Sequence, residues 1–122
     1  MNTSLEQVVT LLRNAAETVA SLESQATEAL GGQQDDAAYR KLMLQKAELL
    51  AGLAGKAAPL VEALPPTHKE RVAATLGSFS KNAATAIKLS SIFYMSALLY
   101  PDDHQQGQPN NLELFIKSLD QA

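Results

Sequence analysis

Apolar residues recur along the first thirty positions at alternating steps of three and four: Leu5, Val8, Leu12, Ala15, Val19, Leu22, Ala26 and Ala29. An unbroken 3.5-residue period marks a helix whose stripe faces partner helices crossing at about 20°. It predicts a helix over 4–30. The same spacing returns at Val72, Leu76, Phe79, Ala83, Ala86, Ser90, Phe93, Ala97 and Tyr100, with Ser90 as its one polar member. That seam predicts one continuous helix over 68–100. Between them Leu42, Leu49, Leu53, Leu60 and Leu64 form a row, with Met43, Ala47, Leu50, Ala54, Ala57 and Val61 beside it. So broad an apolar surface suits a helix over 36–64 that touches two neighbours. Pro59 lacks a backbone donor and clashes with the carbonyl of Gly55, so a kink or break is expected there.

Start signals support these boundaries. Thr3-Ser4-Leu5-Glu6 and Thr67-His68-Lys69-Glu70 both have the spacing of a capping box, and Asn110-Asn111-Leu112-Glu113 is a third version. Asp35-Asp36, after Gly31-Gly32, suits a fourth helix start. Residues 101–110, rich in Pro, Asp and Gln, read as a linker. The last helix, over 111–121, places Leu112, Phe115, Ile116 and Leu119 on one face. It is too short to persist undocked. The expected fold is all-α: a single domain over 1–122, an elongated antiparallel bundle of three long helices plus a short C-terminal helix.

Composition agrees. Ala (20) and Leu (19) dominate the 122 residues, six are Phe or Tyr, and Trp is absent. Cysteine is absent too, which excludes disulfides, thiolate metal sites and cysteine nucleophiles. The net charge of −3 offers no bulk basic field for nucleic acid. Charge is uneven, however: residues 1–34 and 101–122 are acidic, whereas 67–100 is basic, so the first and third helices suit each other as neighbours. The uncharged run from Leu89 to Tyr100 falls well short of the roughly 20 apolar residues of a membrane span. The N-terminal residues show no basic or apolar leader pattern, so a cytoplasmic protein is expected.

Candidate chemistry is sparse. The chain has two histidines, and the residues three before them are Pro65 and Pro101, not the glutamates of a di-iron bundle. Asp102-Asp103-His104 lies in the linker and reads as solvated surface rather than a metal site. Gly31-Gly32 follows no strand and reads as a helix stop, not a phosphate loop. No nucleophile elbow occurs. The expectation is a protein that is not an enzyme, with no catalytic residue, metal or cofactor.

What remains is surplus apolar surface. Ile92, Met95, Leu98 and Leu99 fall outside the seam of the third helix, at positions that normally face water. They are expected to meet either the tail helix, through Leu112, Phe115, Ile116 and Leu119, or a partner helix. These eight residues are the candidate partner-binding set. A symmetric homodimer that buries the same surface, with no client, is the alternative.

The segment ATEALGGQQDDAAYRKLMLQKAELLAGLAGKAAPL, residues 26–60, resembles the FlgN-type flagellar export chaperones. The resemblance is carried by Glu28, Leu30, Leu42, Lys46, Leu49, Leu50 and Leu53 around the acidic turn between the first two helices. It implies a cytoplasmic, non-catalytic chaperone, working without nucleotide chemistry. Such a protein holds an amphipathic segment of an export substrate and delivers it to the secretion apparatus.

Overall fold

The computed structural model describes residues 3–32 and 34–120, without the side chain of Thr3. The capping box expected at Thr3 therefore lies outside the described residues. All regular structure among them is helical: α1 (Thr3–Gly31), α2 (Asp36–Ala51), α3 (Leu53–Glu62), α4 (Pro66–Lys88), α5 (Ile92–Ala97) and α6 (Asn111–Asp120). The chain is an all-α bundle. α1 spans about 43 Å at 1.5 Å per residue and packs along α2 and α3, and α4 packs on the same pair.

The α1 seam behaves as its spacing predicts. Val8, Leu12, Ala15, Val19, Ala26 and Ala29 are buried, and Leu5 and Leu22 are half-buried. α2 begins at an Asp35 cap, whose carboxylate accepts from the Ala38 N–H at 3.0 Å. α4 begins differently from expectation. Pro66 holds the first helical position, Pro65 precedes it, and no side chain caps this end. Proline needs no N–H partner there and its fixed φ already suits a helix, so the Thr67 box does not form.

The middle rod is broken, but not at Pro59. α3 runs through Pro59 to Glu62, and the interruption falls at Gly52. The cause comes from α4. The Ser80 hydroxyl accepts from the Ala54 N–H at 3.0 Å and donates to the Leu50 carbonyl at 2.8 Å. Those two groups are four residues apart and would otherwise bond each other. A side chain inserted into the helical ladder opens it, and the helix is interrupted there.

The third long helix is shorter than its seam. α4 ends at Lys88, and the chain turns before α5 begins. Ser91 N–H donates to the Ala86 carbonyl at 3.1 Å and Ser90 N–H to that of Ile87 at 2.9 Å. This is the paired bonding of a Schellman ending, with Ser90 at φ 52 in the left-handed place that glycine usually fills. Ser91 then caps α5, its hydroxyl accepting from the Tyr94 N–H at 3.1 Å. The predicted seam is cut accordingly: Ala83 and Ala86 are buried, whereas Phe93 is 74% exposed.

Two apolar clusters result. The larger joins α1, α3 and α4 with Leu112, Phe115, Ile116 and Leu119 of α6. α6 is closed at its start by a reciprocal box: Asn110 N–H donates to Glu113 and Glu113 N–H to the Asn110 side chain, both at 2.9 Å. Arg13 of α1 pairs with Asp120, Arg71 of α4 donates to Ser118, and the Phe79 and Phe115 rings meet edge-on with centroids 6.4 Å apart. The tail helix thus docks on its own chain. At about 2 kcal/mol for each buried side chain, that contact offsets the weakness of a ten-residue helix. The smaller cluster lies around α5 and joins Met95 to Ala26, Met43, Ala47 and Ala86.

Candidate docking groove

Four of the expected partner-binding residues belong to the interior. Leu112, Phe115, Ile116 and Leu119 are buried in the larger cluster. Of the other four, Met95 and Leu99 are 3% and 7% exposed, and Ile92 and Leu98 are half-buried against the smaller cluster. The Ser90 turn accounts for the difference. It rotates everything after it, so the heptad outer positions face inwards and the seam positions Phe93 and Ala97 face out. Leu99 meets α6, and its carbonyl accepts from the Asn111 N–H at 2.8 Å. Met95, by contrast, meets helices α1, α2 and α4.

Beneath α5 lies a polar arrangement that sequence reading did not assemble. The Lys46 side chain is fully buried. Its ammonium sits 2.9 Å from Glu23, donates to the Ser96 carbonyl at 3.0 Å and lies 5.0 Å from the centroid of the Tyr100 ring. Tyr100 donates its hydroxyl to the other Glu23 oxygen at 2.7 Å. Burial lowers the Lys46 pKa, against the opposing pull of Glu23, and burial with the adjacent carboxylate raises that of the Tyr100 phenol. The ammonium is enclosed and its partners come from separate segments, so the cluster fastens α1 and α2 to α5. The three residues are far apart in sequence, and a lysine on a helix ordinarily reads as solvated.

The surface that remains open is a groove of about 580 Å³ between α1 and the α2–α3 rod. One wall carries Glu6, Gln7, Thr10, Leu11, Asn14 and Thr18, the other Leu49, Leu53, Lys56 and Leu60. Within them the rows Gln7–Leu11–Asn14–Thr18 and Leu49–Leu53–Lys56–Leu60 both step 4-3-4 along the chain. Leu11, Leu49 and Leu60 are half-buried and line the floor with Leu53 and Ala15, while Gln7, Asn14, Thr18 and Lys56 stand exposed along the edges. The Leu49–Leu53–Leu60 row was legible in the sequence. Its incomplete cover was not, because that depends on α4 and α6 taking the opposite side of the bundle. A second exposed apolar feature is the turn formed by Leu89, Phe93 and Tyr94, which are 58%, 74% and 52% exposed.

Among the described residues, no helix is long and apolar enough to cross a membrane, and no three His, Asp or Glu side chains group as metal ligands. No protein-family model, curated protein or solved structure matches this chain.

Proposed function

We propose that this protein is a non-catalytic binding module that receives an amphipathic helix of another protein in the groove between α1 and the α2–α3 rod. The observation that carries this reading is the matched period of the two walls. Two rows stepping 4-3-4 offer successive holes to the apolar side chains of a third helix lying along them at a shallow crossing angle. Each row covers about three turns, or roughly 17 Å at 1.5 Å per residue. A partner with anchors at i, i+3 or i+4, and i+7 fits that length. The edges combine the neutral Gln7, Thr10, Asn14 and Thr18 with Glu6 on one wall and Lys56 on the other, so the partner's flanks need hydrogen-bonding groups and no strong net charge.

The specific form of this reading, implied by the resemblance over residues 26–60, is a flagellar or type III export chaperone whose groove holds an amphipathic segment of an export substrate. The test is affinity capture from the native cell with three baits: the unaltered chain, Leu11→Lys in the groove, and Phe93→Ser outside it. A bound protein lost with Leu11→Lys, kept with Phe93→Ser, and displaced by its own amphipathic-helix peptide supports the groove. A partner lost only with Phe93→Ser overturns it. Recovery of a filament component separates the export reading from a general adaptor.

A further inference from the structure

The joint between α4 and α5 carries a contradiction between local pattern and observed shape. The 3.5-residue spacing runs from Val72 to Tyr100 with Ser90 as its one polar member, and no glycine or proline lies between Gly77 and Pro101. Such a stretch suits one continuous helix. The chain nevertheless turns at Ser90, whose φ of 52 is costly for a residue with a Cβ. The turn leaves Leu89, Phe93 and Tyr94 in solvent.

We propose that Ser90 is a hinge between this bent form and a straight one, in which α4 and α5 form one helix and residues 91–120 dock on a second copy of the chain. Straightening removes the left-handed serine and returns Ser90, Phe93 and Ala97 to the seam. It also carries α5 and α6 out of their own seats, and those segments are too short and too apolar to stand free. Only a second copy offers the matching seat: Arg13 for Asp120, Arg71 for Ser118, Phe79 for Phe115, and buried Lys46 for the Ser96 carbonyl. The exchange is reciprocal, so the product is a closed two-fold dimer. Its hinge segments run side by side, flanked by the otherwise exposed Leu89, Phe93 and Tyr94. The groove's lining takes no part in this exchange.

The test is refolding from denaturant at low and high chain concentration, followed by mass in solution, for the unaltered chain, Ser90→Gly and Ser90→Ala. Glycine relieves the bent hinge and weakens the straight helix, whereas alanine does the reverse. Each dimer contains two hinges, so the two variants should differ in dimer dissociation constant by roughly 100-fold, with alanine the tighter. The absence of native cysteine allows a second readout: Arg13→Cys and Asp120→Cys chains are mixed, refolded and treated with a short thiol cross-linker. A cross-link between the two chains places α6 of one on α1 of the other and supports the exchange. A dimer without that cross-link overturns it, as does an Ser90→Ala chain that refolds as a monomer at every concentration, or equal behaviour of the two Ser90 variants.

Discussion

The C-terminal third closes the bundle in two places, and it does so by different physics. α6 inserts four apolar side chains into the larger cluster and fixes its own start with the Asn110–Glu113 box. α5 buries one fully, Met95, with Ile92 packed half-buried beside it, and is held further by the Lys46 bond to the Ser96 carbonyl. Two non-glycine residues with positive φ, Ser90 at 52 and Leu99 at 76, bracket it. A short helix persists either because apolar area leaves water or because a buried charge needs its carbonyl. The first is non-directional and strong in sum; the second is local and fails when one partner is removed.

The contrast can be broken most severely at α6. Leu112→Ala should lower global stability by about 3 kcal/mol, read as a fall in the urea midpoint with every probe moving together. If only the amides of α6 lost protection while the rest of the bundle kept its midpoint, α6 would be an appendage rather than a wall of the core.

Next in size is Glu23→Gln, which leaves the buried Lys46 charge without its counter-ion at a cost of about 2 kcal/mol. Here the loss should be local. Hydrogen exchange should accelerate across residues 91–100 and stay unchanged in α6. Equal acceleration in both would erase the distinction between the two closures.

The smallest effect is Tyr100→Phe, about 1 kcal/mol at neutral pH for one hydrogen bond, but its pH dependence is diagnostic. The folded phenol titrates above its unfolded value of 10.0. Its contribution is therefore fully present below pH 10 and is lost as pH rises through the higher folded value. Lys46 works oppositely: its folded pKa lies below 10.5, so the unfolded chain holds more protons in that window and stability rises with pH there. In the unaltered chain the two trends oppose each other at alkaline pH. Tyr100→Phe should abolish the decline above pH 10 and leave the rise, as measured by urea midpoints from pH 8 to about 11.

Much of this architecture could be read from residue order. The α1 seam, the α6 face, the Asp35 cap and the Asn110 box all follow from spacing and side-chain chemistry within a few residues. Four features required the neighbours. The break at Gly52 is bridged by Ser80, on another helix. The turn at Ser90 has no glycine or proline to announce it, and through it Met95 and Leu99 become interior residues. Lys46 finds Glu23 and Tyr100 only after three segments meet. The groove's leucines look like any core row, and only the folded bundle shows Leu11, Leu49 and Leu60 half-buried along an open groove.

The Ser80 hydroxyl completes a backbone rung that belongs to a different helix, so the break in the middle rod is held from outside. A peptide of residues 36–62 alone has no such lodger and should close the gap with its own Leu50-to-Ala54 bond. Since one wall of the groove is built on that rod, the break that an incoming helix meets persists only while α4 is in place.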